Sequence, residues 1–137
     1  MSEKLVTLSV GGGGKQTSDF IKNIILKNFN NDIIGNLGDA SLIETGAASA
    51  FTTDSFVIRP EFFNGGDIGK LSICGTVNDL AVSGAQPLYL SFALIVAEGY
   101  SLDKLEKIVE SAAETAKSAG VKIVCGDTKV VEKGGID

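Results

Sequence analysis

Apolar residues recur along this chain with several spacings, and each spacing predicts an element. Leu5 to Val10 alternates loosely, as a short strand does. From Thr17 onward, Phe20, Ile21, Ile24, Ile25 and Phe29 stand three to four residues apart, which predicts a helix to about Phe29. Asn30, Asn31 and Asp32 then break it. Ala50 to Ile58 is rich in Phe, Thr, Val and Ile and suits a strand carrying Asp54. A helix is expected to start at Gly65-Gly66-Asp67 and to end at Gly84, ahead of Pro87. On it Ser72, Thr76, Asp79 and Ser83 are spaced four, three and four, a polar stripe on an otherwise apolar helix that faces water or a ligand. In Pro87 to Ala97 both alternating sets are largely apolar, so this strand should be covered on both faces, one cover being another subunit. Ser101 is placed to cap a helix whose Leu102, Leu105, Val109, Ala112, Ala116 and Ala119 stripe ends at Gly120. Val121 to Cys125 reads as a short buried strand leading into Gly126-Asp127-Thr128.

The order strand, helix, strand, helix, strand, helix, strand predicts a single α+β domain over residues 1–137, with a mixed sheet of about four strands and helices on one face. Its 137 residues, 44% hydrophobic and 21% charged, are enough for one buried core. The longest apolar stretch is about half a membrane span, and Met1-Ser2-Glu3-Lys4 has no signal-peptide core, so a cytoplasmic protein without a membrane partner is expected. A net charge of −5 disfavours nucleic-acid partners. Without histidine there is no His-based triad or histidine base; Cys74 and Cys125, both in apolar contexts, read as core thiols rather than a disulfide. Chemistry is left to carboxylates, lysines, hydroxyls and backbone.

Glycine makes up about 12% of the chain, 17 of 137 residues, against roughly 7% on average. The run Gly11, Gly12, Gly13, Gly14 before Lys15 satisfies neither a Walker A loop, since Ser9 and Gln16 stand where Gly and Ser or Thr are needed, nor a G-x-G-x-x-G pattern. It is either a flexible turn or a loop that brings backbone close to an anion. Asp39, Asp54, Asp79 and Asp127 each lie beside Gly, Thr, Ser or Asn. Any one of them suits a turn or a cap; four together suit a Mg²⁺ site around nucleotide phosphates, because Mg²⁺ prefers oxygen ligands. Lys129 shares a strand face with Asp127 and is either a solvated lysine or a phosphate contact.

Ala50 to Ser55, Phe62 to Lys70, Gly75 to Ala81, Gly84 to Leu90 and Gly126 to Val131 together resemble the HypE family of hydrogenase maturation proteins. That family is similar to aminoimidazole ribonucleotide synthetase, selenophosphate synthetase and thiamin monophosphate kinase. Thr52-Thr53-Asp54-Ser55, Asn78-Asp79 and Gly126-Asp127-Thr128, in this order, carry the superfamily resemblance. Gly65 to Lys70 and Gly126 to Val131 favour HypE within it. The match covers nearly the whole chain but only the family's N-terminal domain, so the chain, ending at Gly134-Gly135-Ile136-Asp137, reads as a truncation lacking the C-terminal domain.

The resemblance implies an ATP-dependent dehydratase that turns an S-carbamoyl cysteine into a thiocyanate for the Fe-CN ligands of [NiFe] hydrogenase. It also implies a homodimer joined through its sheets, with a maturation carbamoyltransferase and an Fe-CN scaffold protein as partners. By the same resemblance Gly11 to Gly14, Lys15, Asp54, Asn78, Asp79, Asp127 and Thr128 hold ATP. Asp54, Asp79 and Asp127, with Asp39 as a weaker fourth, hold Mg²⁺, and Lys129 acts in catalysis. Val10 stands where the family often has histidine. Selenophosphate synthetase or thiamin monophosphate kinase activity, or a docking role alone, are the alternatives.

Overall fold

The computed structural model describes residues 5–36 and 49–132, so Asp39 lies outside the described residues. Helices α1 (Leu8–Gly11), α2 (Lys15–Phe20) and α3 (Lys27–Phe29) are followed by strands β1 (Phe62–Phe63) and β2 (Gly66–Asp67). Helix α4 (Ile68–Val82), strand β3 (Tyr89–Ala97), helix α5 (Leu102–Ala119) and strand β4 (Lys122–Val131) complete the order. The α+β class expected from the pattern is what forms. Its strands group as an antiparallel pair β1–β2 and a parallel pair β3–β4 rather than as one four-stranded sheet.

The N-terminal segment departs furthest from expectation. Leu5 makes one antiparallel bridge to Ser101, and Val6 exchanges backbone hydrogen bonds with Tyr100 O and Gly99 N, both 2.8 Å, but no strand continues. The chain instead winds into α1; among the described residues, the backbone partners of Leu5 and Val6 lie in the short turn after β3. Val6 is 1% exposed and anchors the segment in the core.

The helix predicted from Thr17 to Phe29 starts two residues earlier, at Lys15, and passes through a π-helical stretch, Ile21–Leu26, between α2 and α3. The buried residues Phe20, Ile24 and Phe29 explain the widening. Ile24 and Phe29 are five apart, and a turn closed by i→i+5 hydrogen bonds keeps both on the core side. There the Phe29 ring packs on Phe92 with centroids 5.1 Å apart.

Asn31, read from sequence only as a helix breaker, clamps the end of this helical run to the sheet. Its side-chain amide donates to Phe29 O at 3.0 Å and Ile123 O at 2.8 Å, while its Oδ1 accepts from the backbone of Ile33 at 3.0 Å and Ile34 at 3.1 Å.

Asn64-Gly65 is a two-residue hairpin turn between β1 and β2, with Gly65 at φ 95°, a conformation that favours glycine. Asp67 then caps α4, accepting from Lys70 N at 3.1 Å. The helix ends one residue short of Ser83, with Gly84 at φ 80° beyond it. Helix α5 ends at Gly120 as expected, in the left-handed conformation; Ser101 occupies the capping position, but its hydroxyl makes no capping bond and is buried without a partner. Helices α4 and α5 cross closely enough at Gly69 that a Cβ there would lie 2.1 Å from Ile108 O.

In β3, Leu90 and Val96 are buried and Phe92 and Leu94 half-buried against the helical layer; α5 contributes Leu105, Val109, Ala112 and Ala116 to that core. On the opposite face Ser91, Ala93, Ile95 and Ala97 are exposed, Ile95 at 70%. One chain thus covers one face of the strand, not both. Cys74 and Cys125 are both free and only half-buried, at the edge of the core rather than inside it. Among the described residues no helix is long and apolar enough to cross a membrane.

Behind β3, Tyr100 donates its hydroxyl to Glu61 Oε1 at 3.2 Å. Burial, reinforced by the Glu61 charge, pushes the phenol up to about 12.

Gly69→Ala should lower stability by about 2 kcal/mol, because the methyl must displace helix backbone rather than a side chain. Asn31→Ala should cost about as much by leaving the Ile123 carbonyl and the Ile33 and Ile34 amides without their partner. Urea unfolding midpoints of the two variants check both values.

Candidate functional site

The glycine run is shaped by what surrounds it. Gly11 ends α1 against β4, where a Cβ would come 2.8 Å from Val130 N, so the backbone approaches the strand as only glycine allows. Gly13 and Gly14 follow at φ 81° and 80°, and Gly14 precedes the first turn of α2, which begins at the exposed Lys15. Two side-chain bonds span the run: the Ser9 hydroxyl donates to Gln16 Oε1, and the Thr17 hydroxyl donates to Val10 O at 2.6 Å. No side chain caps the start of α2, leaving its first amides open to an acceptor from outside.

Opposite the run lies β4. The sequence placed Asp127 and Thr128 just after a short strand; the strand continues through them to Val131. Register pairs Phe92 with Gly126, Ala93 with Asp127, Leu94 with Thr128 and Ile95 with Lys129. The strand approaches β3 so closely at Gly126 that a Cβ would lie 2.1 Å from Phe92 O.

Asp127 and Lys129 share the open face of the sheet, as their two-residue spacing requires. The Lys129 ammonium bonds both carboxylate oxygens of Asp127 at 2.5 Å. Between helix and sheet is a cavity of about 680 Å³, lined at one end by Gly14, Thr17, Ser18, Gly126, Asp127 and Thr128 and elsewhere by apolar side chains from α2, the π-helical stretch, β3 and β4.

Asp54, Asn78 and Asp79 belong to a second region. Residues 49–58 belong to no helix or strand, so the predicted strand does not form within one chain. The segment runs antiparallel along α4, with Phe56 seated on Gly75, where a Cβ would meet its ring at 2.4 Å, and the Thr52 hydroxyl 3.5 Å from Asp79 Oδ2. Asp54 accepts its neighbour's amide, Ser55 N, at 2.8 Å, and both Asn78 and Asp79 are exposed.

The polar stripe on α4 is partly spent on the helix itself. Ser72, Thr76 and Ser83 return their hydroxyls to Gly69 O, Ser72 O and Leu80 O, leaving Asp79 as its outward-facing member.

Structure therefore unites the glycine run with the Gly126–Thr128 segment, and Asp79 with the 49–58 arm. Among the described residues no three His, Cys, Asp or Glu side chains stand close enough to share a metal ion. Carboxylate oxygens are the donors Mg²⁺ takes, so Asp54, Asp79 and Asp127 fit in kind, but one chain does not gather them: Asp127 stands on an open sheet face and the other two along α4. Thr17 and Ser18, which sequence reasoning passed over, join the cavity; the available signal was two hydroxyls in the first turn of a helix directly after a glycine run.

Residues 37–137 match the model of the AIR synthase related protein, N-terminal domain, and the chain is a member of that family. Carbamoyl dehydratase HypE of Rhodobacter capsulatus is 49% identical over 140 residues, covering 100% of this chain and 41% of that protein. The Escherichia coli HypE is 46% identical, covering 96% and 41%. Among solved structures, a hydrogenase maturation protein HypE in complex with ATP superimposes with a TM-score of 0.93 at 45% identity, covering 96% of this chain and 39% of that one. A HypE–HypF complex matches with a TM-score of 0.61 at 51% identity, over 86% and 38%. The chain spans about two fifths of the length of these relatives. None of these matches favours the selenophosphate synthetase or thiamin monophosphate kinase alternatives.

The Lys129 ammonium, and secondarily the Thr128 amide at 2.9 Å, hold the Asp127 carboxyl below the usual carboxylate range. Because the folded value is the lower one, this stabilisation exists above the ordinary carboxylate pKa and disappears as pH falls through the depressed value. Both partners are largely exposed, so water screens the pair and it acts on local titration more than on global stability. A carboxyl NMR titration should show Asp127 titrating below the ordinary aspartate range, and Lys129→Ala should raise its midpoint toward that range.

Proposed function

We propose that this chain is the N-terminal, ATP-binding and dimerising domain of a carbamoyl dehydratase that matures [NiFe] hydrogenase. The rest of such a protein supplies a C-terminal domain and the cysteine on which it acts. The observation that carries the reading is the cavity shared by the glycine run and Gly126–Thr128, in a domain similar over 96% of its length to a HypE that binds ATP.

The chemistry suits these residues. An amide oxygen leaves poorly, but once it has taken the γ-phosphoryl group of ATP it leaves as phosphate, the nitrogen gives up its protons, and the S-carbamoyl cysteine becomes a thiocyanate. The chain's share of this is charge and position. The amides that follow Gly11–Gly14, together with Lys15 and Thr128, hold the polyphosphate. Asp54, Asp79 and Asp127, with Asp39, would hold Mg²⁺, which would neutralise the phosphate charge, and Asn78 beside Asp79 would contact the nucleotide.

Lys129 exchanges Asp127 for the γ-phosphate or the amide. The aspartates act together when two copies meet through the open face of β3 and β4, the face on which Asp127, Lys129 and Ile95 stand. The 49–58 arm, which carries Asp54, gains its strand partners in the same assembly. By the same likeness to HypE, a carbamoyltransferase of the HypF type and an Fe-CN scaffold protein are its partners, in the cytoplasm.

In the protein that carries this domain, Asp79→Asn should weaken Mg-ATP binding about tenfold, about 1.4 kcal/mol, by calorimetry. ATP binding should fall sharply with a chelator present. Equal binding by parent and variant, or equal binding with chelator, would remove the carboxylate-metal site. Sedimentation should find a dimer, and Ile95→Lys should shift it to monomer by placing a charge on the joined sheet faces.

A further inference from the structure

Two bonds span the glycine run, each reaching seven residues along the chain, and they are unequal. The Ser9–Gln16 pair is exposed, and Gln16 is a long side chain with much rotamer freedom to lose. The Thr17–Val10 bond is half-buried, 2.6 Å long and made by a β-branched side chain whose χ1 is already restricted. Its acceptor is a carbonyl in the last turn of α1, a group left without a partner inside that helix. Thr17 therefore closes residues 10–17 into a ring, with Gly11 pressed against Val130 on one side and Gly13 and Gly14 in left-handed conformations on the other. Thr17 also lines the cavity beside Gly14 and across from Gly126–Thr128.

We infer that Thr17 is a positioning residue: through Val10 O it fixes the glycine run in the shape that receives the polyphosphate, at a set distance from β4. The inference rests on the ATP reading above. Without the bond, four consecutive glycines would be restrained by the exposed Ser9–Gln16 pair and the contact of Gly11 with Val130, and the remaining ordering would have to be done by the nucleotide at the expense of affinity.

The experiment takes the protein that carries this domain and compares Thr17→Val, which keeps the shape but not the hydroxyl, with Thr17→Ser, which keeps the hydroxyl. Thr17→Ala serves as a second hydroxyl-free variant should Thr17→Val lose its near-ultraviolet dichroism. Amide hydrogen exchange at residues 11–14 without nucleotide reads the tether directly. Calorimetry with Mg-ATP reads its consequence.

The hydroxyl-free variant should exchange faster at the run and bind about tenfold more weakly, as for one lost hydrogen bond. Thr17→Ser should restore both to near the parent. Unchanged exchange, or unchanged affinity despite faster exchange, overturns the positioning role. So does a Thr17→Ser variant as impaired as Thr17→Val. If the parent itself binds no Mg-ATP, the ATP reading fails and this role fails with it, while the exchange data still show whether Thr17 orders the loop.

Discussion

Everything near the candidate site depends on the parallel pairing of β3 with β4. A parallel pair is stable when both its faces are covered, and a ribbon of two strands has no neighbours to share that task. Here α5 and the N-terminal helices cover one face with Leu90, Phe92, Leu94 and Val96 packed beneath them. The other face carries Ala93, Ile95 and Ala97 in line with Asp127, Lys129 and Val131. Apolar residues and an ion pair therefore share the one surface of this ribbon that the described residues leave uncovered.

Close backbone approach is the second organising feature. Gly11 against Val130, Gly126 against Phe92 and Gly69 against Ile108 are three places where a Cβ would meet backbone at 2.8, 2.1 and 2.1 Å. The first brings the loop after α1 onto β4; the second lets β4 lie against β3 just beyond the register shift at Leu90 and Ser91. The third brings α4 onto α5, and α4 in turn carries Asn78 and Asp79. Glycine excess in this chain is therefore used in part for packing elements together.

Much of this was legible in the sequence because it depends on local rules. The span of α5 with its left-handed Gly120, the start of α4 at Asp67 and the alternation in β3 follow from periodicity and capping, which neighbours within a few residues decide. That Asp127 and Lys129 share a strand face follows from strand geometry alone; that they form an ion pair came from the structure. Other features were not legible. Whether Leu5–Val10 or 49–58 becomes strand depends on a partner edge being present. The Asn31 clamp depends on Ile123, which lies 92 residues away. The π-helical stretch arises because Phe29 must reach Phe92.

The candidate site divides in the same way. By itself the sequence determined which groups are available, namely a glycine run, scattered aspartates and one lysine two residues from an aspartate, since composition and spacing are properties of the chain. Only the tertiary structure decided which of them meet. It joined the glycine run to β4 through Gly11, gave Thr17 the Val10 carbonyl, turned the hydroxyls of Ser72, Thr76 and Ser83 back onto their own helix, and left Asp127 on an open face apart from Asp79. The physical reason is that hydrogen bonds and close packing are settled by distance in space, and distance along the chain sets that only within an element.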